Sequence, residues 1–396
     1  MAIGLFLSSI AIDVVSLIFI GMLGIYFIIV GKPEYRNWLI PKKNDKSYRV
    51  SIIIPAYNEE KNIELAIKSA FNQTLKPRQV IVIDDNSTDK TYEICKNSKN
   101  IYKNLKVIRQ KENKGKAHNV SYVLNKYKLG EFTMVLDADT YLSHNFLEEI
   151  TKPFFNKRVA IVTGKSFPIK QKNFFGRVIY NGSIFQYKFF AFRKMAQSYR
   201  NAVSVISGDS SVYRTSFLRE VGGLPQGTQT EDMDITWIAL EKGYRVVFQR
   251  KALARSKDAA TFKGHWKQIT RWYAGGFQGL VRHGRSLLKA KPLLFTTLLP
   301  VYFDSFIYSA MFIIAPLFFF ISPKITIGFY VADLIITSIV VLIIDLRGII
   351  HLPEIYLIKF IWAFAWFYSF GRTIFQFLSG KRSWSGRWNR DHFYVK

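Results

Sequence analysis

The chain has 396 residues and a formal net charge of +28, from 56 Lys and Arg against 28 Asp and Glu. That surplus asks for an anionic partner: a phosphate-bearing ligand, an acidic lipid surface or nucleic acid. A single cysteine, Cys95, excludes an internal disulfide and a cysteine-rich zinc site, and 49% hydrophobic with 16% aromatic residues is high for a soluble basic protein.

Residues 3–31 form an apolar run long enough to cross a bilayer, which takes about 20 residues. The run is too long for a signal-peptide core and lacks a basic start or small-residue cleavage site, so 1–32 reads as a retained transmembrane anchor. The basic, aromatic KPEYRNWLIPKKNDK that follows places its side of the membrane in the cytoplasm. From 48 to 255, the short apolar runs VSIIIPAY, VIVIDD, FTMVLDAD and RVAIVTG alternate with helix-length segments such as EEKNIELAIKSAFNQ and KAHNVSYVLNKYK. That alternation predicts a soluble α/β domain of parallel strands and crossover helices. Residues 256–292 are basic and aromatic and read as helices lying on the membrane surface. Over 293–380, three apolar stretches follow, near 293–322, 325–345 and 355–379, and 381–396 is a basic tail. Four crossings from an outside start leave the carboxyl terminus outside, whereas the charge of KRSWSGRWNRD favours the inside. Lys359 and Arg372 in the last stretch leave an interfacial or re-entrant placement open.

Acids gather where the apolar strands end, the edge at which ligands bind in open α/β sheets. Asp137 and Asp139 in VLDADTYL can reach one divalent cation, Mg²⁺ or Mn²⁺, bridging to a diphosphate, or they are a solvated turn. Asp84 and Asp85 close VIVIDD, where a carboxylate can accept from a base N–H or a ribose hydroxyl; Asn86, Ser87 and Asp89 fit a turn and a helix cap. Tyr57, Asn58 and Glu59 follow SIIIPA, and acids opening a helix are favoured by its dipole in any case. In NKGKAHN, Gly115 permits close approach and Lys116 is a phosphate or base donor, or an inert loop lysine. TQTEDMDITW places Glu231, Asp232 and Asp234 at a helix start that Thr228 or Thr230 can cap; an acid there can take a proton from an attacking hydroxyl. Asp304 in LLPVYFDSFIY either lines a polar passage or sits at the interface behind a break at Pro300.

In order, PAYNEE, VIDDNSTDKT, NKGKA, DAD, SGDSSVYR, TEDMD and QITRW resemble the family 2 glycosyltransferases, in particular the membrane-integrated branch of cellulose, chitin, hyaluronan and poly-N-acetylglucosamine synthases. The likeness spans roughly 49–280 and extends to the Trp/Arg tail. It implies a GT-A fold, an α/β Rossmann-like cytosolic domain, joined to an α-helical transmembrane region with interfacial helices. It also implies a UDP-sugar donor, Mg²⁺ or Mn²⁺, and the cell membrane, with the catalytic domain on the cytoplasmic side. Carried over residue by residue, Tyr57, Glu59, Asp85 and Lys116 contact the uridine end, Asp137 holds the nucleotide and Asp139 ligates the metal, with Asp137 beside it. Asp232 is the general base of a catalytic pair with Glu231. Gln268 and Arg271 close over the pyrophosphate, and Trp272 stacks on the acceptor sugar. The chain departs from the family at Ser207-Gly208-Asp209-Ser210, where the extra acid Asp209 stands beside the acceptor, and at His118.

The resemblance implies an inverting, processive transfer of N-acetylglucosamine or another hexose onto a growing β-linked polysaccharide. The alternative is addition of one sugar to a membrane lipid, as by ceramide glucosyltransferases. Partners on this reading are a UDP-sugar, a glycan or lipid acceptor, the bilayer and a second copy of the chain. A nucleic-acid binder has no use for acids at strand ends, and no G-x-G-x-x-G follows the first strand as in a dehydrogenase.

Overall fold

The run VSIIIPA lacks polar–apolar alternation, as a strand covered on both faces requires. It forms β1 (Val50–Ala56) in the computed structural model, which describes residues 48–199, 201–290, 309–310, 312–317 and 319–379. Ile52 and Ile54 enter one apolar cluster with Val80, Val82, Met134 and Leu136. Ile53 enters a second, on the opposite face, with Ile81, Ile83 and Val135. The anchor expected over 1–32, Asp304 and the tail 381–396 lie outside the described residues.

Helix α1 (Ile63–Phe71) follows β1, α2 (Thr91–Ser98) follows β2 (Gln79–Asp84), and α3 (Lys116–Lys126) follows β3 (Leu105–Arg109) and leads to β4 (Phe132–Leu136). These four strands are parallel, as expected, in the order β3-β2-β1-β4. Next come β5 (Thr140–Leu142), α4 (Phe146–Thr151), β6 (Val159–Pro168), α5 (Phe174–Tyr199), β7 (Ser210–Arg214) and α6 (Thr215–Glu220). Helix α7 (Glu231–Glu241), β8 (Arg245–Ser256) and α8 (Phe262–Ala290) complete the domain. The full order is β3-β2-β1-β4-β7-β6-β8-β5.

An all-parallel sheet is not what forms. β7 runs antiparallel between β4 and β6, and β5 runs antiparallel beside β8, giving a GT-A-like α/β fold with a mixed sheet. The reversal matters for chemistry. Leu136, the last residue of β4, pairs with Ser210, the first of β7. The turn Ser207–Asp209 entering β7 is thereby set beside Asp137 leaving β4. β6 and β8 are parallel to each other, with Ser256 opposite Pro168, so their carboxyl ends share one edge.

The helices expected over 256–292 are one helix, α8, and it is packed between elements. Gly275 and Gly279, one turn apart, let Thr230 and Trp237 of the α7 segment approach closely. Phe277 meets Trp366 edge-on at 5.2 Å, on α10 (Leu352–Leu378), which follows α9 (Pro323–Ile344). These last two helical segments are long and apolar enough, by length and composition, to cross a membrane. Lys359 does not bring an isolated charge into α10: its Nζ donates to both Asp333 carboxylate oxygens at 3.0 Å and to Thr337 at 2.6 Å, all on α9.

Candidate active site

At the ends of β1 and β2, two turns are locked to each other. Asn58 and Asn86 take positive φ values of 54° and 64°, a region asparagine tolerates better than most residues. The Asn58 amide donates to Ser87 Oγ at 3.0 Å, and the Thr88 amide donates to Asn58 Oδ1 at 2.9 Å. Glu59 is buried and accepts from Asn62 Nδ2 at 2.8 Å. Asp89 accepts from the Thr91 amide at 2.9 Å, the local turn role expected of it. The two acids ending β2 diverge. Asp84 turns to Arg109 Nε at 3.4 Å, and burial raises its carboxyl above the ordinary range. Asp85 accepts from the amides of Lys114 and Gly115 at 2.9 and 2.7 Å and so fixes the loop that launches α3. Gly115 has φ 85°, so a side chain there strains the backbone.

That loop aims Lys116 at the strand ends. Its Nζ lies 2.8 Å from Asp137, 3.0 Å from Glu231 and 3.0 Å from the Gly208 carbonyl oxygen. One ammonium thus ties together the acid after β4, the first residue of α7 and the turn before β7. Burial lowers the lysine's pKa, but Asp137 and Glu231 more than offset this and the net shift is upward.

Glu231 and Asp232 are driven apart by their surroundings. Burial disfavours ionisation of Glu231, yet Lys116 and then Arg271 hold it below the ordinary range. Burial and the adjacent Glu231 raise Asp232 to about 6, against the opposing pull of Lys116 and Arg271. Asp232 Oδ1 accepts from the Met233 amide at 2.9 Å. A Cβ placed on Gly208 would stand 3.3 Å from Asp232 Oδ2, so this turn lies directly against the carboxylate. Two adjacent acids pushed in opposite directions are the pattern of a division of roles between electrostatics and proton transfer. Asp234 points away from this pair, toward α8, where it meets Arg282 at 2.6 Å and lies 3.6 Å from His283. The capping expected of Thr230 does not occur. Its Oγ1 is buried, without a hydrogen-bond partner, where α8 presses on it.

The QITRW segment reaches the same region. Arg271 Nη1 donates to the Gln229 carbonyl at 2.9 Å, just before the acids of α7. Gln268 Nε2 donates at 2.8 Å to Asp258, which also accepts from the Tyr187 hydroxyl at 3.0 and 2.9 Å. Trp272 faces α10, 6.3 Å from Trp362 and nearly perpendicular to it. Trp362 in turn donates to His265 Nε2 at 3.2 Å.

Asp258, unforeseen from sequence, is raised to about 6 by burial, with Asp139 and Asp209 adding to the rise against the hydrogen bonds from Gln268 and Tyr187. Asp139 is buried. It also lies near Tyr141, whose hydroxyl is pushed up to about 12 by burial and then by Asp139 and Glu59. Asp209 accepts from Ser166 Oγ at 2.5 Å, while its Oδ1 is buried without a hydrogen-bond partner. Among the described residues no group of three or more His, Cys, Asp or Glu side chains is placed to hold a metal alone. Asp137 and Asp139 still fit Mg²⁺ or Mn²⁺, ions that one or two carboxylates hold with substrate phosphates completing the shell. The negative charge crowding Asp139 and Asp258 favours a cation there.

The structure therefore brings Lys116, Asp137, Glu231, Asp232 and Arg271 together and places Asp139 with Asp258 and Gln268. Tyr57, Glu59 and Asp85 lie at the neighbouring strand ends. Tyr187 and Lys194 on α5 were unforeseen; their spacing of two helical turns, which puts them on one face, is the signal that marks them.

Residues 51–222 match the family described as Glycosyl transferase family 2. Over 272 residues the chain is 27% identical to a poly-beta-1,6-N-acetyl-D-glucosamine synthase of Staphylococcus epidermidis, covering 68% of this chain and 64% of that protein. Over 273 residues it is 26% identical to the synthase of that description from Staphylococcus aureus (strain COL), covering 67% and 64%. The matched chain thus spans less than two thirds of these relatives' length. A mannosyltransferase from Pyrobaculum calidifontis, solved with GDP-Man and Mn²⁺, shares the fold with a TM-score of 0.59 at 17% identity, covering 92% of this chain and 99% of its own.

Proposed function

We propose, for a chain that carries a family 2 glycosyltransferase domain and resembles the poly-N-acetylglucosamine synthases, that it transfers N-acetylglucosamine from UDP-N-acetylglucosamine to a growing β-linked polysaccharide at the membrane. The carrying observation is the Lys116 ammonium, which joins Asp137, Glu231 and the Gly208 turn around Asp232. Transfer proceeds with inversion, in one displacement. Asp232 takes the proton from an acceptor hydroxyl, that oxygen bonds to the anomeric carbon, and the bond from that carbon to the diphosphate oxygen breaks, its electron pair leaving with UDP. Asp139 and Asp137 would hold Mg²⁺ or Mn²⁺, whose charge would neutralise the diphosphate. Arg271 supplies fixed positive charge on the same side as the leaving group. Tyr57, Glu59 and Asp85 form the uridine end, Gln268 closes the site through Asp258, Asp209 faces the acceptor, and Trp272, set edge-on to Trp362 of α10, offers the acceptor its remaining face. The apolar helices hold the domain at the cytoplasmic face of the cell membrane, and repeated transfer without release makes the enzyme processive.

The test uses the full chain in membranes with labelled UDP-N-acetylglucosamine and Mn²⁺, followed by product sizing. High-mass material degraded by a matching glycanase is expected. One lipid-extractable glycoside would replace polymerisation with single transfer. Asp232→Asn is expected to abolish transfer while leaving UDP bound; an active D232N would remove the base from the mechanism.

A further inference from the structure

Helix α5 brings to the turn beside Asp232 a cation, Lys194, that the mechanism above does not use. Its far end is fixed to the apolar helices. Asn181 Nδ2 donates to Glu354 at 3.2 Å, Gly182 packs against the Glu354 backbone and Ile358, and Lys188 pairs with Asp345. Two helical turns from Tyr187, which holds Asp258, Lys194 Nζ donates to Ser207 Oγ at 2.8 Å. Ser207 opens the turn in which Gly208 lies against Asp232 and Asp209 carries the unpartnered Oδ1. The same turn is anchored by the Ser207 amide donating to Thr163 Oγ1 at 2.8 Å and by Ser166 on Asp209.

We propose that Lys194 is a positioning residue for the acceptor, holding the Ser207–Asp209 turn against Asp232. This rests on the glycosyl-transfer reading given above and extends it to the acceptor side. An incoming sugar hydroxyl would donate to Asp209 Oδ1, and the same ring would present its reacting hydroxyl to Asp232. A neutral hydroxyl suits this subsite better than an ammonium, because Lys194 already brings a cation to the turn that carries Asp209. Burial lowers Lys194 to about 8, with Asp209 and Asp232 opposing that shift and Arg193 adding to it.

The groups that face Asp232 are Glu231 from α7, Lys116 from α3, Arg271 from α8, Tyr213 from β7 and Lys194 from α5. Removing the positive charge of Lys194 makes Asp232 harder to ionise, so the rising limb of the pH–rate profile moves to higher pH. The experiment compares wild type, Lys194→Met, Lys194→Arg and Ser207→Ala in the full chain, with UDP-N-acetylglucosamine and a neutral oligosaccharide acceptor. For K194M the expected result is an upward move of the acid limb and an acceptor KM higher by about tenfold, with UDP affinity unchanged. K194R restores the limb, and S207A raises acceptor KM while leaving the limb in place. If K194M does not fold, Lys194→Gln removes the charge with a polar side chain, and S207A tests positioning with the charge kept. Wild-type acceptor KM and pH limb in K194M, or in S207A an acceptor KM equal to wild type, would overturn the assignment. So would parallel loss of UDP binding, the mark of a purely structural residue. A wild-type chain that turns over no UDP-sugar would instead defeat the glycosyl-transfer reading itself, and the acceptor role of Lys194 with it.

Discussion

The second half of the QITRWYAGG stretch is explained by distance. A Cβ on Gly275 would stand 2.3 Å from Thr230 Oγ1 and 2.4 Å from its Cγ2, about 1 Å inside the 3.4 Å at which ordinary contact begins. Thr230 directly precedes Glu231 and Asp232, and its short branched side chain is buried with no room to swing away. In Gly275→Ala, α8 and the start of α7 must therefore separate. Overpacking of this kind costs about 1–3 kcal/mol. Displacing a general base by about 1 Å lowers turnover by roughly 10²-fold. Gly284 is the control on the same helix: a Cβ there meets nothing within 4 Å. Gly284→Ala should be neutral or stabilising by about 0.5–1 kcal/mol through helix propensity alone. The assay is UDP-sugar turnover with a thermal denaturation midpoint for both variants in one detergent. If G275A kept wild-type turnover, or if G284A impaired it equally, close approach of the two helices would not be what positions the base.

Three further outcomes follow from the ion pairs and titrations. Lys116→Met leaves Asp137 and Glu231 facing each other without their cation, and should destabilise by about 3 kcal/mol while raising the UDP-sugar KM; an unchanged denaturation midpoint would contradict this. With Asp232 raised to about 6, kcat/KM should climb as pH rises through that value, because only the ionised carboxylate accepts a proton; in D232E the limb should move, and a limb unaltered in that variant would assign it to another group. The same raised pKa means the folded state binds its proton more tightly than the unfolded chain, so this group's contribution to stability falls as pH rises from about 4 to about 6. Between α9 and α10, Lys359→Met should cost about 3–5 kcal/mol by stranding Asp333, and Asp333→Asn combined with Lys359→Met should recover part of it; a double variant as damaged as the single would disprove the pairing.

Sequence reading worked where side-chain type and backbone role coincide. β1, β2, β4 and β6 announce themselves as apolar runs because both faces of the sheet are covered. β7 does not: SSVYR begins with two serines that are fully buried, and the Ser211 hydroxyl donates back to the Ser207 carbonyl at 2.7 Å, in the turn before the strand, rather than following any visible pattern. Without β7 there is no reason to expect an antiparallel strand in the middle, and hence none to place Asp209 beside Asp137. The strand-end acids were readable as a set, but their individual roles were not. Asp85 also fixes the loop backbone, Asp84 turns to Arg109, and Asp234 faces α8, contacts that depend on partners far away in sequence. Asp258 was hidden in a segment whose lysines and aromatics suggested a membrane surface. Lys359, with Arg372, left an interfacial or re-entrant placement open because nothing in the sequence marks Asp333, on the preceding helix, as the partner of Lys359.

The acids at the sheet edge place a constraint on how the domain is built. A carboxylate that must be ionised near neutral pH cannot be left among Glu231, Asp137, Asp139, Asp209 and Asp258 without compensating charge. The compensation comes from three helices: Lys116 on α3, Arg271 on α8 and Lys194 on α5. Only α3 belongs to the sheet's own crossover layer. The other two also rest on α10: α8 through Trp362 on His265, Ser369 on the Thr270 carbonyl at 3.1 Å and Phe277 on Trp366, and α5 through Gly182 and Asn181. Two of the three cations near Asp232 therefore stand on helices that also pack on α10. Separating the domain from α10 should consequently raise the Asp232 pKa before it unfolds the sheet. On the proposed mechanism, the apolar helices would act on proton transfer through the positions of Arg271 and Lys194.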